Sequence, residues 1–272
     1  MNILIVDGND KQSDELYQSE NINTQYEEYK NVLLFLSKKK LNIEIIHPAW
    51  NDNFIKQGLN LRDFEGIIWT GSALNIYDMT PSIIRQIELA KSLMQMKNKI
   101  FGSCWGLQIL STAAGGVVRK NPKGLEAVVG KEIQLNHEGI NHPMYKDKPI
   151  TFDSFCWHYD EIEKLPENSK VLASNKFSKV QSLSFSRGES DIWAVQYHPE
   201  FNPYWVSQLM KIRKKILLES IIYKNNEEFD QMFKYLSNIE AYKNFKSNLD
   251  IKDSLIDNNI RYIEIKNWLR SF

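Results

Sequence analysis

The sequence predicts an α/β protein with a central, mostly parallel sheet, added antiparallel strands and a C-terminal helical extension. Before Gly116, short apolar runs alternate with helical segments of about ten to fifteen residues, which is the pattern of β-α-β units. After Gly116 the apolar segments become short and are separated by turns, and after Pro203 the pattern becomes helical. We therefore expect one α/β domain at residues 1–217 and a helical extension at residues 218–272.

The first part of the chain contains four predicted strands with helices between them. Residues 3–6 form a buried apolar run, and the polar, aperiodic residues 10–23 predict a long loop that lies over a site. Apolar residues recur at helical spacing over residues 26–39, and Pro81 starts a second helix that runs towards Met96. The remaining strands are expected at residues 42–46, 66–70 and 100–102, with a helix after the last that stops at Gly115-Gly116.

The second part of the chain predicts further strands and then helices. The strand-like segments are residues 127–135, 149–155, 170–174, 180–185 and 191–197. Helical spacing returns near residues 205–222 and 227–242. Because short segments separated by turns favour antiparallel pairing, we expect these strands to be added around the parallel core.

The composition excludes several classes of protein. Lys plus Arg and Asp plus Glu each number 34, and zero net charge argues against binding nucleic acid or a membrane surface by bulk charge. Two cysteines, Cys104 and Cys156, are too few for a disulfide-stapled scaffold. The N-terminus lacks the basic region of a signal peptide, and no apolar stretch approaches the roughly 20 residues of a membrane span. We expect a cytoplasmic protein.

A candidate nucleophile, Cys104, stands in the segment Phe101-Gly102-Ser103-Cys104-Trp105-Gly106-Leu107-Gln108. A nucleophile between a strand and a helix lies on a tight turn, and small residues two positions before and after it prevent a collision there. Amides of the first helical turn favour a thiolate and stabilise an oxyanion. A buried cysteine in an ordinary turn is the alternative interpretation.

A thiol nucleophile needs a base, and His198 is the histidine in the most suggestive setting. A strand leads directly into His198, Pro199 ends that strand, and Glu200 is close enough to orient the imidazole. A histidine in an ordinary strand-end turn is the alternative. Two strand-end motifs that together complete a Cys-His-Glu set are far less expected by chance.

These two motifs resemble those of the class I (triad) glutamine amidotransferases. Among them, the sequence is most similar to the GMP-synthase-like members. The motif G-x-C-x-G-x-Q around Cys104 is followed roughly ninety residues later by Q-x-H-P-E around His198. The resemblance covers residues 1–205 and implies a flavodoxin-like three-layer fold. It also implies glutamine hydrolysis through a γ-glutamyl thioester on Cys104, with His198 as base and acid and Glu200 as its orienter.

The resemblance also implies binding residues. Gly71 matches the oxyanion strand, in which Ser72 replaces a common second glycine, so the main-chain amides of Ser72 and Trp105 are the expected oxyanion donors. Gln108 matches a substrate-contacting position, although an amide inside or on the helix is an alternative of nearly equal weight. Without the strand-to-helix elbow formed by the tight turn at Cys104, we would interpret Gly71 as an ordinary turn glycine.

The segment Trp157-His158-Tyr159-Asp160 resembles a family loop whose backbone holds the α-amino and carboxylate groups of glutamine. Tyr159 replaces the usual glycine, so it narrows the pocket or changes which γ-glutamyl compound fits. We interpret His158 as a structural or substrate-lining residue rather than a second base.

Other chemistries receive little support from the sequence. His137 and His142 form the only approximate metal-ligand spacing, in a segment that reads as a polar loop, and we expect no metal and no cofactor. Cys156 on an apolar strand is expected to be a buried, inert thiol.

The sequence leaves the substrate and the partner open. The protein either hydrolyses glutamine or a γ-glutamyl conjugate alone, or donates ammonia to a separate ATP-dependent synthase subunit. A Cys hydrolase with a different acyl substrate and a non-catalytic binding module on the same fold are further alternatives. Tyr159 and the helical tail lean slightly towards the stand-alone enzyme.

Overall fold

The structure, a computed structural model, describes all 272 residues. Eleven strands occur in chain order: β1 (Asn2–Val6), β2 (Asn42–Ile46), β3 (Gly66–Trp69), β4 (Lys99–Ser103), β5 (Val117–Lys120), β6 (Glu126–Leu135), β7 (Thr151–His158), β8 (Asp160–Lys164), β9 (Lys170–Ser174), β10 (Ser182–Arg187) and β11 (Ser190–Val195). No helix has both the length and the apolar character that a membrane span requires.

The α-helices vary from short single turns to a helix of 14 residues. They are α1 (Lys11–Ser19), α2 (Gln25–Leu36), α3 (Pro81–Met94), α4 (Trp105–Ala113), α5 (His137–Asn141), α6 (Pro203–Ile212), α7 (Lys214–Glu219), α8 (Asn226–Ser237), α9 (Lys246–Leu249), α10 (Asn258–Arg261) and α11 (Ile263–Arg270).

Nine of the strands form one sheet in the order β2-β1-β3-β4-β11-β10-β9-β6-β7, and β5 pairs with β8 in a separate ribbon. The pairs from β2 to β11 are parallel, and all pairs beyond β11 are antiparallel. Helices cover the parallel strands on both faces, so strands such as β3 are buried along their whole length. The predicted α/β architecture with added antiparallel strands is confirmed.

Local sequence explains most of the helix boundaries. Thr24 begins α2 with a capping box, in which Glu27 Oε2 accepts a hydrogen bond from the Thr24 amide at 2.8 Å. Pro81 occupies the first turn of α3, where its missing amide proton is not needed. Asn202 begins α6 by accepting from the amide of Trp205 at 2.9 Å.

Some predicted elements were wrong. Residues 10–23 are not a long loop, because α1 occupies most of the segment, and Asp10 caps it by accepting from the Ser13 amide at 2.8 Å. The segment at His137 is the short helix α5 rather than a loop. The strand predicted at 191–197 was expected to be an antiparallel addition. It is β11, which pairs antiparallel with β10 on one side and parallel with β4 on the other. Strands β5 and β8 were not predicted.

The chain after α7 packs against the α/β core. Trp268 and Phe272 of the C-terminal end cover Gly66 at the start of β3, where a Cβ atom would lie 2.9 Å from each ring. Helix α8 packs against α6, with Phe229 buried in the same cluster as Trp205. Residues on both sides of position 217 therefore share hydrophobic cores.

Candidate active site

The sheet register brings the two predicted motifs together. Strands β4 and β11 are parallel neighbours with Ser103 opposite Val195, so both chains leave the sheet at the same edge. The Cys104 amide then donates to the carbonyl of Val195 at 2.8 Å. Cys104 and His198 consequently line one cleft, together with residues such as Ser72, Gln108 and Trp157. We refer to this opening as the cleft.

Cys104 lies on a strained turn at the beginning of α4. Its backbone has φ of 52° and ψ of −103°, a conformation that is costly for a residue other than glycine. A Cβ atom at Gly102 would lie 2.7 Å from the carbonyl carbon of Gly106, and one at Gly106 would lie 2.5 Å from the carbonyl oxygen of Trp69. The two glycines are therefore required for this turn to pack against the sheet.

The thiol and the imidazole face each other in this turn region. Cys104 Sγ donates a hydrogen bond to the carbonyl of Trp157 at 3.5 Å, and it also interacts with the His198 ring. The His198 amide is held by the carbonyl of Phe155 at 2.8 Å, which fixes the position of the ring relative to β7. Both side chains are almost completely buried.

Glu200 orients His198 through the second ring nitrogen. Nδ1 of His198 lies 2.7 Å from Oε1 of Glu200, which leaves Nε2 for the thiol or a substrate atom. The Ser103 hydroxyl donates to the same carboxylate oxygen at 3.1 Å. Phe201 stacks on the imidazole with ring centroids 4.0 Å apart and planes within 5°, which restricts its rotation.

The electrostatics of this group favour an imidazolium. Burial alone would lower the pKa of His198, but the negative charges of Glu200 and Cys104 and their hydrogen bonds outweigh it and raise the pKa to about 10. The ring therefore carries a proton at neutral pH when the thiolate is present, in the manner of an ion pair.

The two main-chain amides that were expected as oxyanion donors have no acceptor within the protein. The amides of Ser72 and Trp105 have no acceptor among the hydrogen bonds of the protein, whereas the neighbouring Ala73 amide is bound by Asn9 Oδ1 at 3.2 Å. Trp105 follows Cys104 directly at the N-terminus of α4, where amides lack intrahelical acceptors. Gly71 must be small, because a Cβ atom there would lie 2.6 Å from Cε1 of His198.

The remaining predicted binding residues have different surroundings. Gln108 lines the cleft, but its side-chain amide also donates to Gln196 Oε1 at 3.4 Å inside the helix–sheet interface. Trp157 and Tyr159 are half-buried and both line the cleft. The predicted loop is the end of β7 and the start of β8, because its residues form a tight connection between two strands.

His158 is held on both sides of its ring. Nδ1 donates to the carbonyl of Asp160 at 2.9 Å, and Nε2 lies 2.8 Å from Oε2 of Glu126. Glu126 is in turn bound by Gln181 at 2.8 Å. With both nitrogens occupied, His158 has no free position for proton transfer to a substrate.

Cys156 lies two residues away from His158 on the same strand but outside the cleft. It is 3 % exposed, and burial raises the pKa of its thiol well above the usual value. A buried neutral thiol is a poor nucleophile, which matches the inert role expected for it.

Sequence patterns did not indicate three residues that complete the cleft wall. Tyr17 of α1, Gln25 of α2 and Arg213 after α6 all line it. None belongs to a motif, and each reaches the cleft only because its helix packs beside the strand ends. The polar composition of residues 10–23 was interpreted as a loop, so α1 and its residue Tyr17 were missed.

A second group of titratable residues joins α1 to the chain that follows β1 and β2. Ligand atoms of Asp7, Asp14 and His47 lie within 4.8 Å of one another. Nδ1 of His47 is 2.9 Å from Oδ2 of Asp7. Burial, followed by the charge of Asp7, raises the pKa of Asp14 to about 9, so these two carboxyl groups share a proton at neutral pH. The predicted pair His137 and His142 contributes no such cluster.

Comparison with known proteins identifies the family. The sequence model of the family described as Glutamine amidotransferase class-I matches residues 25–210. The chain belongs to this family. The predicted resemblance is thereby confirmed, and Cys104, His198 and Glu200 all lie within the matched span, whereas Tyr17 and Arg213 lie outside it.

Two curated relatives differ in how much of their length this chain covers. A γ-glutamyl-L-1-hydroxyisopropylamide hydrolase from Pseudomonas sp. is 30% identical over 278 residues, which span 99% of this chain and 92% of that protein. A glutamine-hydrolysing GMP synthase from Borreliella burgdorferi strain B31 is 31% identical over 138 residues, or 51% of this chain and 25% of the synthase.

A solved structure shares the fold along nearly the whole of this chain. A glutamine amidotransferase from Thermotoga maritima superposes with a TM-score of 0.64 over 99% of this chain and 96% of that chain, at 13% sequence identity. The flavodoxin-like α/β fold that the motifs implied is therefore confirmed.

Proposed function

We propose that this protein hydrolyses the γ-amide bond of glutamine or of a γ-glutamyl conjugate, with Cys104 as nucleophile. The observation that carries the proposal is the strained Cys104 elbow beside the His198–Glu200 pair, in which Nδ1 and Oε1 are 2.7 Å apart. An ordinary buried cysteine has no reason to adopt a positive φ next to a paired histidine.

In the first step, the Cys104 thiolate attacks the γ-carbonyl carbon, and a C–S bond forms while the carbonyl electrons move to oxygen. The amides of Ser72 and Trp105 are the donors for this oxyanion, and removing one such donor typically costs about 10²–10³ in kcat. When the intermediate collapses, the C–N bond breaks and the leaving amine takes a proton from His198. A γ-glutamyl thioester remains on Cys104.

In the second step, His198 removes a proton from water, and the resulting hydroxide attacks the thioester carbonyl. Collapse of this intermediate breaks the C–S bond, releases glutamate and returns the proton to the thiolate–imidazole pair. Glu200 stabilises the imidazolium at both stages without taking the proton itself. The raised pKa of His198, about 10, suits a group that must hold a proton until the amine leaves.

A conjugate larger than glutamine is favoured by one relative. The Pseudomonas relative is named for a γ-glutamyl amide and aligns with 99% of this chain. We therefore place the stand-alone hydrolase first.

Ammonia donation to a synthase subunit is the second candidate. It is supported by the relationship to a GMP synthase, of which this chain spans about a quarter. In that case the isolated protein should hydrolyse every γ-glutamyl compound slowly and accelerate when an ATP-dependent ligase binds.

Glutamate release from glutamine and from a panel of γ-glutamyl amines tests the proposal. We expect turnover by the purified protein, its loss in Cys104→Ala, and its retention in the matched variant Cys156→Ala. A γ-glutamyl diazo ketone should label Cys104 in peptide mapping. Labelling of Cys156, or glutamate release that survives Cys104→Ala, would refute the assigned nucleophile. If the protein releases glutamate from none of these compounds, the proposed hydrolysis is wrong, and a non-catalytic binding module is the alternative that remains.

A further inference from the structure

Arg213 places a positive charge in the cleft that the chemical step does not use. It lies between α6 and α7, is half-buried, and lines the cleft with Cys104 and Trp157. No carboxylate lies within 4.0 Å of its guanidinium, whereas its neighbours in the chain, Lys211, Lys214 and Lys215, are each paired with one. A partly desolvated guanidinium without an anion is a ready site for one.

The contacts of Arg213 place it near the reacting atoms. Its guanidinium lies over the Trp157 ring, 5.5 Å from the centroid, and the Trp157 carbonyl accepts a hydrogen bond from Cys104 Sγ at 3.5 Å. Stacking on an aromatic ring holds the guanidinium plane while leaving its edge N–H groups free. One aromatic residue thus separates the cation from the proposed nucleophile.

Two further polar side chains, those of Tyr17 and Gln25, line the cleft. Burial raises the pKa of Tyr17, and the nearby charge of Arg213 partly offsets that rise, so the phenol and guanidinium are neighbours. Gln25 is 5 % exposed, and its Oε1 atom is a buried acceptor without a partner. Such an atom is costly unless a ligand N–H reaches it.

The acidic residue that lines the cleft, Asp160, already has a hydrogen-bond partner. Asp160 lines the cleft, and its Oδ1 atom accepts from the Tyr77 hydroxyl at 3.2 Å. Burial raises the pKa of Asp160 to about 6. It does not pair with Arg213, so the positive charge remains available to a ligand.

The family span indicates which half of the substrate Arg213 faces. The family match covers residues 25–210, and both Tyr17 and Arg213 lie outside it. The glutamyl half of the substrate is common to the proposed reaction, whereas the leaving amine differs between relatives. Residues outside the shared span are therefore suited to the part that varies.

We infer that Arg213, with Tyr17 beside it, binds a carboxylate carried by the leaving amine, so that γ-glutamyl amino acids are preferred substrates. This inference rests on the proposed hydrolysis and adds the chemical class of its leaving group. A planar guanidinium binds a carboxylate through two parallel N–H donors, whereas a neutral alkylamine offers nothing to accept them. Release of the amino acid then needs no group beyond the proton from His198.

Three substrates of graded structure test it: γ-glutamylglycine, γ-glutamylethylamide, which lacks the carboxylate, and glutamine. In Arg213→Gln we expect kcat/KM for γ-glutamylglycine to fall by about 10- to 100-fold, the effect of losing a charged hydrogen-bond pair. The fall for γ-glutamylethylamide should be at least five times smaller. The matched control Lys215→Gln removes a cation two residues away that is 86% exposed and should change neither value.

Direct binding separates this inference from the proposed reaction. In a Cys104→Ala background, calorimetry should give tighter binding of γ-glutamylglycine than of γ-glutamylethylamide, and Arg213→Gln should remove the difference. If no compound is hydrolysed, the proposed function fails, while these affinities still decide the role of Arg213. An equal loss for all three substrates would place Arg213 at the α-carboxylate of the glutamyl half and overturn the inference. So would equal affinities in the Cys104→Ala protein.

Discussion

A buried ion pair joins the C-terminal helix α11 to the loop before β7 and offers a quantitative test of the structure. Lys148 Nζ lies 2.9 Å from Glu264 Oε2, with the two side chains 1% and 0% exposed. Glu264 Oε1 also accepts from the Tyr197 hydroxyl at 2.7 Å, one residue before His198. Burial lowers the pKa of Lys148, although the charge of Glu264 opposes that effect.

Replacing Lys148 by Met keeps the apolar stem but leaves the Glu264 carboxylate buried without its cation. Breaking a buried pair in this way costs about 3–5 kcal/mol, because the remaining charge loses its compensation. The exposed pair Lys170–Glu138 has nearly the same separation, 2.8 Å, with side chains 62% and 48% exposed. Lys170→Met should therefore cost no more than about 1 kcal/mol.

Urea unfolding at pH 7, followed by tryptophan fluorescence, measures both free energies. The double variant Lys148→Met/Glu264→Gln should recover part of the loss, because neutralising Glu264 removes the uncompensated charge. A loss for Lys148→Met no larger than that for Lys170→Met would refute the buried pair. The single variant Glu264→Gln completes the comparison. If the double variant loses as much free energy of unfolding as Lys148→Met and Glu264→Gln lose together, the two charges are not coupled.

Three further predictions concern the His198–Glu200 pair, the turn at Gly106 and the carboxyl group of Asp14. Glu200→Gln should lower the pKa of His198, since the Glu200 charge helps to raise it, and should cost less activity than His198→Ala, which removes a base worth roughly 10²–10⁴-fold. Profiles of kcat/KM against pH measure both effects, and equal losses would contradict the roles. Gly106→Ala should lower stability by about 1–3 kcal/mol in thermal unfolding, because its Cβ would meet the Trp69 carbonyl oxygen at 2.5 Å; an unchanged Tm would contradict that packing. Asp14→Asn should raise Tm by an amount that grows between pH 3.8 and about 9, because the stability held by protonated Asp14 is lost as pH rises towards its folded pKa. A difference that is flat with pH, as expected for the exposed control Glu15→Gln, would contradict this.

The parallel core was predictable because its signals are local. Buried parallel strands read as continuous apolar runs, and β3, which is buried at every position, begins at Gly66 as the sequence indicated. Helix α1 was missed because its buried face carries Asp14 and Tyr17, which depart from the apolar periodicity that marks a helix. Its cap at Asp10 was the available signal, since an Asp before a helix accepts an amide three residues later.

Some residues of the site could likewise be predicted from local sequence, and others could not. The elbow at Cys104 and the spacing of His198 and Glu200 depend on residues close together in the chain, so motifs reveal them. Ser103, which donates to Glu200 at 3.1 Å across 97 positions, and Arg213 act through tertiary packing. No period or motif in the sequence encodes which helix face meets the strand ends, so those residues required the structure.

The two walls of the cleft therefore have different structural origins. Cys104 and His198 follow neighbouring parallel strands, and their separation is fixed by the register of β4 and β11. Tyr17 and Arg213 come from helices whose positions depend on packing alone and which lie outside the family match. Changes in those helices alter the space and charge offered to a leaving group without moving the reacting atoms. Under the proposed hydrolysis, variation in these helices therefore changes which leaving group the cleft accepts, while the thiol and the imidazole keep their positions.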